Sequence, residues 1–158
     1  MKKQKVYIET SVISYLVSKP SRDLVVTGHQ QITAEWWKKT RNKFDCYISQ
    51  VVIEEISKGD KIASSKRLNS VSDFPVLAFN SDIEDLAVKY VELLNIPEKS
   101  KLDAFHLAFA VMFEIDFLLS WNCKHIANAM INFKIKDYNN KNSLYVPFLC
   151  TPQELLEV

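Results

Sequence analysis

The sequence predicts an α/β fold of three layers, with a central parallel sheet of about four or five strands covered by helices. Short apolar segments alternate with longer helical patterns from one end of the chain to the other. That order is typical of a parallel sheet packed on both faces. The segment Phe117-Leu-Leu119 is apolar at every position, as strands buried on both faces usually are. A length of 158 residues suits a single domain, 1–158.

The first third of the chain is expected to contain two strands, each followed by a helix. The residues Glu9-Thr-Ser11 favour a helix start directly after the first strand, and Pro20 breaks the chain after that helix. Ser49 is expected to cap a helix that Gly59 ends. The predicted elements are a strand at Lys5–Ile8, a helix at Val12–Val17, a long amphipathic helix at Arg22–Arg41, a strand at Phe44–Ile48 and a helix through Ser57.

The remainder of the chain continues the same alternation. Ser81-Asp-Ile-Glu84 forms a capping box, and apolar residues follow it at helical spacing. The segment Ser100–Phe113 is apolar nearly all round, which indicates a helix buried in the core or in a subunit interface. The predicted elements are helices at Asp60–Val71, from Ser81, at Ser100–Phe113 and at Lys124–Lys136, strands at Phe74–Phe79, Asp116–Ser120 and Pro147–Cys150, and a short final helix from Thr151.

Composition excludes several classes of protein. The 20 basic and 19 acidic residues give a net charge of +1, so nucleic-acid binding would need local basic patches. The three cysteines are odd in number and widely spaced, which favours the reducing cytoplasm. Glu9 interrupts the first apolar run, so we expect no signal peptide, and no segment is apolar for long enough to span a membrane.

Acidic residues stand where the predicted strands lead into helices. Glu9 follows the first strand, Glu54 and Glu55 lie in the helix after the second, and Asp103 opens the most apolar helix. Asn122 follows the fourth strand. The carboxyl ends of parallel strands form the usual ligand site of such a sheet, so these side chains are candidates to converge there. Clustered carboxylates repel one another unless a hard cation such as Mg²⁺ or Mn²⁺ lies among them.

Each acid also has an ordinary structural explanation. Glu9 is able to complement the positive end of the next helix, and Glu54-Glu55 is able to form a solvated helical turn. Asp103 lies three residues after Ser100, which matches a capping pattern found twice more in the chain. No single acid decides between a metal site and these alternatives.

Five segments, taken in order, resemble the PIN-domain family, especially the VapC-like toxins of bacterial toxin–antitoxin systems. The spacing from Ser49 to the acid and on to Gly59 is similar to a family segment that selects Glu55 over Glu54. Asp103 leads a helix like the family's apolar one. The five segments are Val6-Tyr-Ile-Glu-Thr-Ser-Val-Ile-Ser14, Ser49–Gly59, Asp103-Ala-Phe-His-Leu-Ala-Phe-Ala110, Leu118-Leu-Ser-Trp-Asn-Cys-Lys-His125 and Cys150-Thr-Pro-Gln-Glu-Leu155.

The resemblance implies a Mg²⁺- or Mn²⁺-dependent endoribonuclease, frequently a homodimer, whose antitoxin partner blocks the site. Glu9 and Asp103 would ligate the principal metal, and Glu55 would act as a further ligand or through a water molecule. Asn122 would orient a water or help to hold the metal. Glu9 replaces the usual Asp and Asn122 replaces a frequent acid, which leaves three negative charges. We therefore expect one tightly bound metal, with a second recruited together with the substrate phosphate.

Other polar residues receive expectations of their own. Thr10 and Ser11 are candidates to hydrogen-bond a phosphate or a ligating carboxylate, or else to cap the next helix. His106 is expected to be a buried structural residue, and His125 is expected to pack within its turn. Lys58, Lys61 and Arg67, with Lys66, are candidates for contacts with the RNA backbone.

The departures at Glu9 and Asn122 also keep open a second function. A catalytically silent PIN module would bind RNA or a protein partner, and it would do so without metal.

Overall fold

The five strands form one parallel sheet with the order β3-β2-β1-β4-β5 in the computed structural model, which describes residues 2–156. Met1, Glu157 and Val158, which complete the expected domain 1–158, lie outside the described residues. The strands are β1 Lys5–Ile8, β2 Asp45–Ser49, β3 Val76–Leu77, β4 Phe117–Leu119 and β5 Phe148–Cys150. Strand β1 is central, and its Tyr7 pairs with Tyr47 of β2 and Leu118 of β4.

Among the described residues, seven α-helices flank this sheet, and the prediction of a three-layer α/β/α fold is confirmed. Two short 3₁₀ turns lie at Arg41–Lys43 and Glu98–Ser100. Between residues 2 and 156, no helix is long and apolar enough to cross a membrane. The helices are α1 Thr10–Val17, α2 Leu24–Lys39, α3 Gln50–Ile56, α4 Lys61–Ser70, α5 Ser81–Leu94, α6 Lys101–Met112 and α7 Ala129–Lys141.

Helix α6 lies at the centre of the core. Its residues from His106 to Val111 are all buried, and it packs against α5 and against the sheet. Burial within one chain therefore accounts for the apolar sequence that also suggested a subunit interface.

Two predicted elements are shorter in the structure than expected. The helix predicted over Lys124–Lys136 begins only at Ala129, because the Asn128 side chain caps the backbone N–H groups of Met130 and Ile131. Only Val76–Leu77 of the predicted strand Phe74–Phe79 pairs with a neighbour.

The predicted final helix is wrong as far as residue 156, because the chain forms a turn there. The capping contact itself is present: the backbone N–H of Thr151 donates to the Glu154 carboxylate at 2.7 Å. In this segment the capping pattern closes a turn without starting a helix.

One side chain covers the open edge of the sheet at β5. The amide nitrogen of Asn132 donates to the Leu149 carbonyl at 2.8 Å, and the Leu149 N–H donates to the Asn132 amide oxygen at 3.0 Å. Asn132 on α7 therefore satisfies the two backbone groups that a further strand would otherwise bind.

Candidate metal centre

The predicted acids lie near the carboxyl ends of the central strands. Glu9 follows β1 directly, and its N–H extends the ladder by donating to the Leu119 carbonyl of β4 at 3.0 Å. Helices α3 and α6 bring Glu55 and His106 close to Glu9. His106 Nε2 lies 3.8 Å from Glu9 Oε2 and 2.7 Å from Glu55 Oε1. Glu54, the neighbouring acid that the family resemblance did not select, is exposed and pairs with Lys58 at 3.8 Å.

Glu9 is held through one oxygen atom. Its Oε1 accepts hydrogen bonds from the Ser120 hydroxyl at 2.6 Å, from the Ser11 backbone N–H at 3.2 Å, and from the Ser11 hydroxyl. The Ser11 hydroxyl oxygen is itself fixed by the Trp121 N–H at 2.8 Å. Of the two roles considered for Ser11, the structure places its hydroxyl on a carboxylate, whereas Glu9 caps α1.

Glu55 is also held through one oxygen atom. Its Oε1 accepts from the Thr10 hydroxyl at 2.8 Å and from His106 Nε2 at 2.7 Å. Burial acts to raise the pKa of Glu55, but the bond and charge of His106, the Thr10 hydroxyl and the charge of Lys58 outweigh it. The pKa of Glu55 is consequently lowered, which favours the ionised form that a cation site needs.

His106 is fully buried, as predicted, but it also contacts the acidic site. Its Nδ1 lies 2.6 Å from the Tyr7 hydroxyl, while its Nε2 bonds Glu55. Burial acts to lower the pKa of His106, yet the bond to Glu55 and the nearby charges of Glu9, Glu55 and Asp103 raise it overall. The spacing of three residues from Asp103, which places both on one side of α6, was the available sequence signal.

Asp103 has a histidine partner that the sequence interpretation missed. The prediction that His125 merely packs within its turn is wrong, because its Nδ1 lies 2.7 Å from Asp103 Oδ2. The backbone N–H of His125 donates to the Asn122 side-chain oxygen at 3.0 Å. The amide oxygen of Asn122 is thus engaged in shaping the turn that positions His125.

The three carboxylates share one arrangement, in which protein donors bond one oxygen of each; the second oxygen of Glu9 lies 3.8 Å from His106 Nε2. Within the described part of the chain, no hydrogen bond reaches Glu9 Oε2, Glu55 Oε2 or Asp103 Oδ1. Hard divalent cations prefer carboxylate oxygens, so this donor set fits Mg²⁺ or Mn²⁺. Ligand atoms of Glu9, Glu55 and His106 all lie within 4.8 Å of one another, and Asp103 is not part of that closer group.

The basic residues after α3 have different surroundings. Lys61 is exposed, and Lys58 is exposed apart from its pairing with Glu54. Arg67 instead donates from Nε to the Ile56 carbonyl at 3.0 Å and from Nη2 to the Lys58 carbonyl at 2.6 Å. Arg67 therefore closes the C-terminal end of α3, which carries Glu55.

The parallel sheet with a carboxylate site at its strand ends defines the molecule as a three-layer α/β/α protein of PIN-like fold. Comparison with solved structures agrees: a chain in the crystal structure of VapBC2 from Rickettsia felis, bound to a DNA fragment from their promoter, matches with a TM-score of 0.52. The match covers 94% of this chain and 97% of that one at 13% sequence identity, and at this identity it shows the fold alone. The resemblance to VapC-like PIN domains is thus confirmed at the level of the fold. No protein-family model matches the chain, and no curated protein matches it.

Proposed function

We propose that this chain is a metal-dependent endoribonuclease of the VapC-like toxin type. The observation that carries the proposal is the set of carboxylates at Glu9, Glu55 and Asp103, each held by protein donors through one oxygen atom. Gathered carboxylates repel one another, and the oxygens that no protein donor bonds are within reach of solvent and therefore of a cation. A divalent cation would offset this repulsion.

Glu9, Glu55 and Asp103 would hold Mg²⁺ or Mn²⁺, with Asn122 contributing through the turn that it stabilises. A bound ion would supply Lewis acidity for the attack of water on an RNA phosphodiester and would offset the negative charge of the phosphate. The chain's own residues hold the acids in place: Ser11 and Ser120 orient Glu9, and Thr10 orients Glu55. We assign Lys58 and Lys61 to the RNA backbone, because phosphate neutralisation supplies most non-specific affinity.

Thr10 and Ser11 belong to the same proposal through the carboxylates they hold, which is one of the two roles expected for them. Arg67 supports the site by bonding carbonyls at the C-terminal end of α3, and it contributes less to RNA binding than Lys58 and Lys61 do. We further propose an antitoxin protein as partner, a homodimer as the assembled state and the cytoplasm as the location. The neighbour of matching fold is part of VapBC2 bound to promoter DNA, and that likeness is the support for a partner of this kind.

The test is cleavage of end-labelled RNA by the purified protein with Mn²⁺, with Mg²⁺ or with EDTA. Glu55→Gln is compared with Glu54→Gln, which removes the same charge one residue away on the exposed side of α3. We expect metal-dependent cleavage that Glu55→Gln and Asp103→Asn abolish and Glu54→Gln retains. Equal inactivity of the wild type and all three variants across varied RNAs would contradict the proposal.

Metal stoichiometry is tested separately by titrating the RNA-free protein with Mn²⁺. We expect one tight site, with a second appearing only when RNA is present. Two equally tight sites without RNA would contradict this expectation.

A catalytically silent PIN module remains the second candidate function. The observation in its favour is that Asn122 is uncharged and its amide oxygen already accepts from the His125 backbone N–H, so it adds no fourth negative charge to the three acids. This candidate predicts that RNA binds equally well with EDTA and with Mn²⁺, as a gel-shift measurement would show.

A further inference from the structure

A chain of buried hydrogen bonds begins and ends on helix α3 and passes through two other elements on the way. The Val52 N–H donates to the Ser49 hydroxyl oxygen at 3.3 Å, which caps the helix, and the Ser49 hydroxyl lies 2.7 Å from that of Tyr7 on β1. Tyr7 lies 2.6 Å from His106 Nδ1 on α6, and His106 Nε2 lies 2.7 Å from Glu55, six residues after Ser49 on α3. The chain therefore closes a ring through β1, α3 and α6.

We propose that His106, Tyr7 and Ser49 are positioning residues, which together fix the orientation of the Glu55 carboxylate. This inference rests on the proposed function, because it concerns one acid of the proposed metal site. The ring joins two residues that are six positions apart, Ser49, which caps α3, and Glu55. The imidazole of His106 contacts Glu55 directly, and it contacts Ser49 through the Tyr7 hydroxyl.

The direction of the last bond follows from the chemistry of its acceptor. An ionised carboxylate only accepts, so Nε2–H of His106 donates to Glu55 Oε1 whichever way the rest of the ring is arranged. With Nδ1 unprotonated, the Tyr7 hydroxyl donates to His106 and the Ser49 hydroxyl donates to Tyr7. In this neutral state each polar hydrogen points along the ring toward Glu55. In the protonated state that the raised pKa of His106 favours, Nδ1–H donates to the Tyr7 hydroxyl oxygen instead, and the bond from Nε2–H to Glu55 is the same.

Burial makes these bonds costly to break. Ser49, Tyr7 and His106 are each 0% exposed, so no water replaces a partner that turns away. Rotation of the Glu55 carboxylate would leave the buried imidazole N–H with only the more distant Glu9 Oε2, at 3.8 Å, beside it. The ring therefore keeps Oε1 inward and leaves Oε2 as the atom available to a cation.

The ring also assigns both nitrogen atoms of His106 to protein partners. His106 acts on the site through Glu55 and does not itself serve as a metal ligand. Partners that orient a ligating side chain typically contribute about 10–100-fold to metal affinity.

The experiment measures Mn²⁺ affinity of the RNA-free protein by electron paramagnetic resonance, with Tyr7→Phe as the main variant. The substitution keeps the aromatic ring that stacks on Phe109 and removes only the hydroxyl. Tyr90→Phe is the matched control, since Tyr90 is equally buried and its hydroxyl bonds Asn139 at 2.6 Å. We expect Tyr7→Phe to weaken Mn²⁺ binding by about tenfold and Tyr90→Phe to leave it unchanged.

A double-mutant cycle with Glu55→Gln tests whether the effect runs through Glu55. We expect Tyr7→Phe to have no further effect once Glu55 is replaced. His106→Gln, whose amide N–H is able to reach Glu55, should retain more affinity than His106→Ala. Additive effects in the cycle, or wild-type affinity in Tyr7→Phe, would overturn the proposal. A fall in Mn²⁺ affinity in His106→Gln as complete as in His106→Ala would do the same, because it would mark His106 as a ligand.

A second readout needs no metal. Nuclear magnetic resonance of protein with ¹⁵N-labelled histidine should show a slowly exchanging His106 Nε2–H proton whose shift changes in both Glu55→Gln and Tyr7→Phe but not in Tyr90→Phe. Insensitivity of that proton to Tyr7→Phe would overturn the ring. Coupling between Tyr7 and Glu55 in a protein that cleaves no RNA would support the ring while refuting the nuclease. RNA cleavage by a protein in which Tyr7 and Glu55 are not coupled would support the nuclease and refute the ring.

Discussion

His125 Nδ1 lies 2.7 Å from Asp103 Oδ2, which joins the turn after β4 to the first turn of α6. The two side chains are 88% and 83% buried, so water competes little for this bond. The Asn122 side chain sets the turn by accepting from the His125 backbone N–H. Two residues of the turn after β4, His125 and Asn122, thus determine the orientation of the Asp103 carboxylate on α6.

We predict that His125→Ala weakens Mn²⁺ binding by about tenfold or more, because the Asp103 carboxylate loses the partner that orients it. Calorimetric titration of the RNA-free protein measures the change. Lys124→Ala, at the preceding position of the same turn, serves as the control and should bind Mn²⁺ as the wild type does. Equal affinities in His125→Ala and Lys124→Ala would refute an orienting role.

The Glu55–His106 pair predicts a pH optimum for the stability of the metal-free protein. Burial opposes the charged form of both groups, but their mutual interaction lowers the pKa of Glu55 and raises that of His106. The Glu55 contribution is present above its ordinary pKa of 4.5 and is lost as pH falls through the lowered pKa. The His106 contribution is present below its ordinary pKa of 6.5 and is lost as pH rises through the raised pKa.

Both contributions are therefore complete between pH 4.5 and 6.5, and the free energy of unfolding should be highest there relative to a variant without the pair. Urea unfolding in EDTA across a pH series measures it for the wild type and for Glu55→Gln. The difference between the two proteins should shrink on either side of that window. A difference independent of pH would show that the pair does not titrate as described.

We predict that Ser120→Ala destabilises the protein by about 1.5–3 kcal/mol, the usual contribution of a hydrogen bond to a charged group. Ser120 is fully buried, and its hydroxyl donates to Glu9 Oε1 at 2.6 Å while accepting from the Asn122 N–H at 2.9 Å. Ser70→Ala removes a hydroxyl from the C-terminal end of α4, remote from Glu9 in the chain, and provides the comparison in urea unfolding. Similar losses in the two variants would mean that the bond to Glu9 contributes nothing special.

Substitutions at Arg67 and Lys61 should distinguish a residue that supports the fold from a residue that contacts RNA. Arg67→Lys keeps the charge but loses the two-pronged bonding to the Ile56 and Lys58 carbonyls, so we expect a loss of about 1 kcal/mol in stability. Lys61→Ala should leave stability unchanged and lower RNA affinity, with a smaller dependence on salt. Thermal unfolding and fluorescence anisotropy make the two measurements, and a reversal of these assignments would refute the distinction.

Local signals in the sequence predicted the sheet and most helices. The strand at Lys5–Ile8 and the cap at Ser49 are short-range patterns that depend only on neighbouring residues. The capping box predicted at Ser81 is wrong, because the Asn80 side chain caps α5 by accepting from the Ile83 N–H at 2.9 Å. The late start of α7 could not be predicted in the same way, because Asn128 competes with earlier residues for the role of cap. The two-residue length of β3 depends on where its neighbour β2 ends, which is a long-range property.

The same distinction between local patterns and long-range contacts applies to the residues of the site. Positions such as Glu9 and Glu55 follow from the strand-to-helix order, and the family resemblance separated Glu55 from Glu54. The bonds of His106 and His125 join residues 51 and 22 positions apart in the chain, respectively. No local pattern encodes such pairings, so His125 was assigned to packing when its partner was Asp103.

The pairing of Asn132 with Leu149 limits how this molecule is able to associate with others. An uncovered parallel edge would accept an extended segment from a nascent or partly unfolded neighbour, a frequent start of aggregation. Asn132 occupies the backbone groups of Leu149, and the opposite edge ends in a strand of only two residues. Pairing with a strand from another molecule is thereby disfavoured at both edges of the sheet. Any protein that binds this chain tightly should consequently dock on its helices and loops.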